Sequence, residues 1–575
     1  MSLPFGDQPP PDARPGVGPD QLSASLSPKP EARNRKLPAW LTWLAREPFA
    51  IAGLCVMLGL GARLYGLNLA YTSDEGYWLQ RTVRFGDGLL TRNFEATYRS
   101  GHPGVTVMWA GLLGIGPDAV RLYAGVPSAS PAALERAPGA ERLMSAARTA
   151  VAVLAAGLIG LAVALAGRLL GGAGLLGGAL LASDPYLIGM TRLLHVDALL
   201  SPFMLVSVLA ALIYWLQGRQ WPYLLVSGIA GGLALLTKAP AITLLPFFGI
   251  LWLVAARPWR GDRRVWTAAL IWGLVLGGVY IALWPVLWVR TVDALTAVTR
   301  FAVTLGGAPH LWPTYFLGEP TTGDPGLLFY PVSIALRLGP VATIGLVLLA
   351  GLAAARRLTG GSLVLWLFLF VVIFVDVMAI GSKKFDRYML PAICVLTILG
   401  GVGIWALARQ LALRFAVSVV ALAVIGQGAW LASAYPYPLA AYNPLFGGTA
   451  VARHAIMVGW GEGLEQTAAY LNSLPNAGRL TASTQYHHVL RLPFRGRTVR
   501  VPSVQPVDYY VVYVNMVQRN TVPIPVRQAM ATTPPVFTAM VNGVPFAWVY
   551  QGPFQISTQR DVPMEGDDEG ESSGE

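Results

Sequence analysis

Charge is what this chain has least of. Only 13% of its 575 residues are Asp, Glu, Lys or Arg, about half the ~25% of a soluble domain. That scarcity excludes a free-standing soluble enzyme. Cysteine is nearly absent as well. Cys55 and Cys394 are the only two, and both fall inside apolar runs, which rules against a disulfide framework or a thiolate metal site. No cleavable signal peptide opens the sequence: residues 1–40 read as a Pro-rich, polar, disordered tail. No fixed-period repeat of the solenoid kind is present.

What the chain has in abundance is apolar sequence, 54% of it. Several runs reach the ~17–25 residues that carry a helix across a bilayer core. The fold class expected is therefore a polytopic α-helical membrane protein with about 11 transmembrane helices and a small extracytoplasmic α/β domain at its C-terminus. The spans fall near residues 48–67, 145–167, 170–187, 197–216, 221–237, 240–256, 265–284, 331–353, 361–380, 388–407 and 414–433.

The net charge of +12 does not point to nucleic acid, because Lys and Arg gather in short clusters between the apolar runs. "KPEARNRK" precedes the first span and puts the N-terminus in the cytoplasm. Alternation from there places Arg168, "QGRQ", "ARPWRGDRR", "AARR" and "ARQLALR" on the same side, all basic, as the positive-inside rule requires. The outer side then receives the loop 68–144, "DPYLIGMTRLLHVD", "TKAPA", the loop 285–330, "GSKKFDRY" and everything after about 434. Within the first outer loop, "GHPGVTVMWAGLLGIG" is too short to span comfortably and reads as a re-entrant or interfacial helix.

Beyond residue 434 the composition shifts. "GWGEGLEQTAAYLNSLP" reads as an amphipathic helix and "DYYVVYVNMVQR" as a strand. "PVFTAMVNGVPFAWVYQG" reads as a hairpin turning at Asn542-Gly543. Residues 450–555 are the expected small domain, and residues 560–575 an acidic disordered tail.

The scarce polar groups collect on the outer side. Asp74 and Glu75 stand together in "YTSDEGYW", directly after the first span. They are either a solvated loop start or a general base with its neighbour; paired acids can also hold a divalent cation. "MTRLLHVDALL" supplies Arg192, His195 and Asp197. A continuous helix would turn Asp197 away from His195, so either the segment breaks there or the groups serve different partners. An Arg–Asp pair at a helix junction is the plain alternative. Lys238 closes a span just before Pro240, where snorkelling to the interface is the ordinary role of a lysine. Lys383, Lys384 and Arg387 crowd five positions on a side where positive charge is sparse. If helical, Lys383 and Arg387 face one way and form a phosphate clamp. His102, His310, Glu319 and Asp324 complete the outer set. No spacing among them marks a metal site.

Outer acids with outer cations suit transfer of a sugar from a polyprenyl phosphate: cations hold the leaving phosphate while a carboxylate activates the incoming hydroxyl. A single direct attack inverts the anomeric centre; a retaining route needs a second, nucleophilic carboxylate. Two other classes compete. A transporter or lipid-linked-sugar flippase would show inverted repeats and mid-membrane charges. A non-catalytic scaffold would leave the cation cluster without a task.

The order of "TSDEGYW", "HPG", "RLLHVDALL", "GLALLTK" and "KKFDRYMLP" resembles the GT-C fold glycosyltransferases, over about residues 45–435. Within them it is similar to the dolichyl-phosphate-mannose protein mannosyltransferases and the lipid A aminoarabinose transferases. The resemblance implies an integral plasma-membrane enzyme taking a polyprenyl-phosphate sugar donor, with a protein, lipid or glycan as acceptor. It implies Asp74 as the general base with Glu75 in support and Asp197 as the second acid. Lys383, Lys384 and Arg387 would meet the lipid phosphate, with Lys238 as a further candidate. From the residues alone, Arg192, His195 and His102 join them as candidate substrate-binding groups on the same cavity as Asp74. "HPGV" stands where relatives often carry a fuller "PPL" motif, and the C-terminal domain is unlike the sugar-binding repeats of the eukaryotic mannosyltransferases.

Overall fold

The computed structural model describes residues 48–125, 134, 137–308, 312–358, 361–500 and 505–556. The expected N-terminal tail at 1–40, His310 and the acidic tail at 560–575 lie outside these residues. Because lipid offers no hydrogen bonds, apolar runs must pair their backbone internally and become helices. In chain order these are α1 Pro48–Leu64, α2 Glu75–Leu90, α3 Val105–Tyr123, α4 Ala140–Leu170 and α5 Gly172–Ala182. There follow α6 Val196–Leu216, α7 Trp221–Thr237, α8 Ala239–Ala256 and α9 Arg263–Ala282. The last are α10 Phe329–Arg337, α11 Pro340–Ala354, α12 Gly361–Ile380, α13 Asp386–Ala408 and α14 Leu413–Ala434.

The chain is a polytopic α-helical membrane protein. Among the described residues eight helices are long and apolar enough to cross a membrane, or nine if α10 and α11 count as one bent span. The expected eleven is not reached. Helices form in all eleven places, but α1, α5 and α7 have only 17, 11 and 17 residues. The stretch 331–353 is not one straight span: α10 and α11 meet at 113°. Gly339, with φ −59° and ψ 149°, precedes Pro340, and a residue in that position is held out of the helical region. The eighth helix that passes by length is α3, because it continues beyond Gly116 to Tyr123. Gly116 (φ 77°, ψ 165°) and Pro117 kink it.

Small residues let the helices approach closely, as membrane helix packing favours. A Cβ on Gly345 would sit 2.0 Å from the Gly400 carbonyl oxygen, and one on Gly177 would sit 2.5 Å from that of Ile398. These contacts join α11 and α5 to α13. Helix α6 is buried along its whole length except its last two residues, so it forms the centre of the bundle.

The C-terminal region carries a five-stranded sheet. Its strands are β3 Thr481–Ser483, β4 Arg497–Thr498, β5 Val507–Tyr513, β6 Phe537–Val541 and β7 Val544–Phe554, in the order β4-β3-β5-β7-β6. A separate two-stranded ribbon pairs β1 Thr314–Phe316 with β2 Glu319–Thr321. The expected hairpin turns at Asn542 and Gly543, both with positive φ, and registers Val541 against Val544. The amphipathic helix runs Leu464–Ser473. Strand β5 ends at Tyr513, where a short helix Val514–Gln518 takes over the end of the expected strand. The sheet and the bundle belong to one compact unit.

Candidate active site

Four helix ends meet at one end of the bundle. Asp74 is the N-cap of α2, yet its side chain makes no capping bond, so the carboxylate is not spent on the helix it starts. It accepts instead from Ser73 Oγ at 3.1 Å. His195 is the N-cap of α6 in extended backbone (φ −149°, ψ 150°), and its Nδ1 accepts the Asp197 N–H at 3.2 Å. A short helix Pro185–Met190 stops just before it. The break left open by the sequence is therefore real, and it brings Asp197 back beside His195. Lys238 sits in extended backbone at the end of α7, and Arg387 lies in the opening turn of α13.

These ends form a compact charge cluster. Lys238 Nζ is 2.8 Å from Asp197 Oδ1, and Arg387 Nε is 3.5 Å from Asp197 Oδ2. The Arg387 guanidinium also reaches Asp74 Oδ2 at 3.9 Å, while His195 Nε2 lies 3.4 Å from the same oxygen. With Nδ1 accepting a backbone N–H, a neutral His195 ring carries its proton on Nε2, facing Asp74. The Asp197 side chain is 3% exposed and that of Asp74 38% exposed. One acid is locked in and the other is open to an arriving molecule. Burial pushes the Asp74 carboxyl up, but His195, Arg387 and the Ser73 hydroxyl outweigh it and hold the group below its ordinary range. Asp74 is therefore a carboxylate at neutral pH.

Lys238 does not snorkel. Its ammonium is 4.1 Å from the Tyr388 ring centroid and almost wholly buried. Arg387 Nε and Asp197 Oδ2 are both buried and face each other as an ion pair, yet neither makes a hydrogen bond with another described residue. Lys383 makes no hydrogen bond or ion pair with another described residue. Its charge is felt at His102 and at Tyr388. The two acids, Lys238 and Arg387 balance one another, which leaves Lys383 as positive charge beyond that balance.

Several expected site residues lie elsewhere. The two neighbouring acids of the sequence point apart. Glu75 is fully buried against Arg148 of α4: Arg148 Nε donates to its Oε1 at 2.7 Å, Arg148 Nη2 binds its Oε2, and it accepts Leu194 N–H and Thr72 N–H, each at 2.9 Å. Despite burial, which raises it, Arg148 and these donors hold Glu75 low. Glu75 is thus a structural tie and does not face the cluster. Arg192 likewise spends its guanidinium on the Tyr65 and Gly66 carbonyls after α1 and makes no pair with Asp197. Lys384 is bound to Asp324 Oδ1 at 2.7 Å and to the Gly326 carbonyl at 3.1 Å, away from both acids. Lys383 and Arg387 do not share a helical face, because helix begins only at Asp386.

His102 lies half-buried against Phe301, ring centroids 4.7 Å apart. Burial first, then the charges of Lys238, Lys383 and Arg81, hold it well below the ordinary imidazole range, so it is neutral. Among the described residues no group of three or more His, Cys, Asp or Glu side chains is placed to hold a metal ion. Asp74 and Asp197 face opposite ring nitrogens of His195 and do not converge.

Sequence reasoning missed one wall of the site. Trp460, before the helix Leu464–Ser473, sits edge-on to His195 with centroids 5.0 Å apart, and the Arg387 guanidinium lies 4.4 Å over its ring. Nothing local marks this tryptophan. Arg148 was also missed, although a lone Arg inside the apolar run "AARTAVAVL" is a signal in itself.

Helix α3 explains "HPG". Gly104 has φ +60°, and a Cβ there would lie 2.2 Å from the Trp78 ring. The Gly104 N–H donates to the Thr237 carbonyl, and Thr106 bonds to Thr237 through hydroxyls 2.7 Å apart. Farther along α3, Gly114 packs on the Ala146 backbone. Its first half therefore runs between the site-side ends of α7 and α4.

Residues 141–288, which include Arg148, His195, Asp197 and Lys238, match the protein family described as dolichyl-phosphate-mannose-protein mannosyltransferase. No curated protein matches the chain. Among solved structures it is similar to ArnT from Cupriavidus metallidurans bound to undecaprenyl phosphate, at 16% identity and a TM-score of 0.45, covering 86% of this chain and 97% of that one. It is also similar to the archaeal oligosaccharyltransferase AglB from Archaeoglobus fulgidus, at 13% identity and a TM-score of 0.42, covering 83% and 70%.

Proposed function

We propose that the chain is a membrane glycosyltransferase that moves a sugar from a polyprenyl-phosphate donor to an acceptor hydroxyl, with the cluster around Asp74 as its active site. The observation that carries this reading is the pairing of a partly open carboxylate with a buried cation set and the spare positive charge of Lys383. The family match over residues 141–288 supports it, since that stretch supplies three members of the cluster.

Asp74 accepts the proton of the acceptor hydroxyl as its oxygen attacks the anomeric carbon. The bond from that carbon to the phosphate oxygen breaks, and the bonding pair leaves with the phosphate. Arg387, together with Lys383 and Lys238, meets the charge that develops there. Asp197 keeps Lys238 and Arg387 in place. In this scheme one displacement inverts the sugar.

The N-terminus faces the cytoplasm, and the site and the C-terminal sheet lie on the outer face of the plasma membrane. The basic loops support this orientation. Helix α3 then lies at the outer interface and does not cross, consistent with its contacts to both α7 and α4 at the site end.

Native mass spectrometry of the full chain in nanodiscs tests the donor site, with undecaprenyl phosphate and neutral undecaprenol as probes. The phosphate should bind at least tenfold tighter, and Arg387→Gln should erase the difference, about the worth of one charge-assisted contact. Equal binding of the two lipids contradicts the reading.

A further inference from the structure

Most groups around Asp74 come from the bundle, but the C-terminal region contributes as well. Trp460 Nε1–H donates to Ser73 Oγ at 2.9 Å, and the Ser73 hydroxyl donates to Asp74 Oδ1 at 3.1 Å. A serine hydroxyl has one proton to give. With Trp460 occupying a lone pair, that proton turns to Asp74. The Ser73 carbonyl is held as well, by His488 Nε2–H at 3.2 Å. Because a carbonyl only accepts, the His488 proton is on Nε2. Burial, together with Arg491 and Arg500, brings this imidazole down to about 4, so it stays neutral.

Trp460 is itself fixed. Its backbone N–H donates to Glu462 Oε2 at 2.6 Å, and the Tyr513 hydroxyl, at the end of β5, accepts the Gly461 N–H at 2.9 Å. Gly461 has φ +133° and lies so close to Tyr71 that a Cβ would come within 2.0 Å of its carbonyl oxygen. Tyr71 and Ser73, on the N-terminal side of Asp74, are thus both held by the C-terminal region.

We infer that Trp460 is a positioning residue for the transfer step: it orients the Ser73 hydroxyl, which in turn holds the Asp74 carboxylate in its reactive direction. The C-terminal region is on this view a part of the active site, and the sheet is the frame that holds the tryptophan. The inference deepens the proposed glycosyltransferase reading and rests on it.

The test uses the full chain in nanodiscs with Trp460→Phe, Ser73→Ala, the double variant and Ser73→Thr. With a polyprenyl-phosphate hexose as donor, Trp460→Phe and Ser73→Ala should each lower kcat about tenfold with the donor KM unchanged. The double variant should be no slower than the slower single, because both act through one hydroxyl, and Ser73→Thr should retain near-normal kcat. Unchanged kcat in Trp460→Phe, or losses that multiply in the double variant, overturns the inference. A second measurement needs no turnover: hydrogen exchange of the peptide spanning 71–76 should quicken in Trp460→Phe at an unchanged melting temperature. Exchange equal to that of the native chain overturns the positioning role even if another donor proves to be the substrate. Failure of the native chain to use any polyprenyl-phosphate sugar counts against the functional reading alone.

Discussion

Lys238 and Asp197 form an ion pair of 2.8 Å with side chains 5% and 3% exposed, at the junction of two helices that start and stop there. Two opposite charges this deep hold each other in place; one alone would be an uncompensated charge. Replacing Lys238 by Met should therefore destabilise the fold by about 3–5 kcal/mol. It should also abolish polyprenyl phosphate binding. Melting of the nanodisc-embedded variant and native mass spectrometry read the two effects separately. Lys238→Asn/Asp197→Asn should recover part of the stability and none of the binding.

The neighbouring lysines make a sharper contrast. Lys384 is bound to Asp324, whereas Lys383 makes no such contact. Lys383→Ala should weaken undecaprenyl phosphate binding severalfold and leave the melting temperature within a degree or so, as an unpaired side chain costs little to remove. Lys384→Ala should do the reverse. Titration of each variant with the lipid, beside a thermal melt, distinguishes them.

How much of this site was legible in the sequence follows from what each residue does. Asp74, Asp197, Lys238 and Arg387 were visible because a charge is expensive beside lipid and is placed for a reason. Glu75 looked like a partner of Asp74 because adjacency is all a sequence shows. Its true partner, Arg148, is 73 positions away. Trp460 carries no charge and lies in a glycine-rich turn, so only the folded chain reveals its contacts. The span count overreached for a similar reason. Hydropathy marks α5 and the α10–α11 stretch as apolar, but helix length and the bend before Pro340 are backbone properties.

Glu75 gives a pH signature. Its pKa is lowered in the folded chain from an ordinary value of 4.5, so the unfolded state binds more protons in the interval between the two. Its contribution is complete above about pH 4.5 and is lost as pH falls through the folded value. Glu75→Gln should lower stability at pH 7 by about 3–5 kcal/mol, leaving Arg148 buried without its counter-charge. It should also flatten the loss of stability on acidification. Melting temperatures between pH 7 and pH 3 for the two proteins check both points.

Gly104→Ala probes the wall of the site. The new methyl would meet the Trp78 ring at a positive φ, and overpacking of this kind costs about 1–3 kcal/mol. Trp78 stands edge-on to His195, centroids 6.3 Å apart, so its displacement reaches the cluster. The variant should melt lower and turn over more slowly, while Gly53→Ala, which meets no atom, should do neither. Parallel melts and rate measurements decide it.

The role of Asp74 as the base is tested most directly by kcat for sugar transfer from a polyprenyl-phosphate hexose in Asp74→Asn. The amide keeps the size of the side chain and cannot take a proton. A fall of about 10²–10⁴-fold, with undecaprenyl phosphate still bound and the melting temperature close to that of the native chain, is the predicted result. Transfer at the native rate would contradict it.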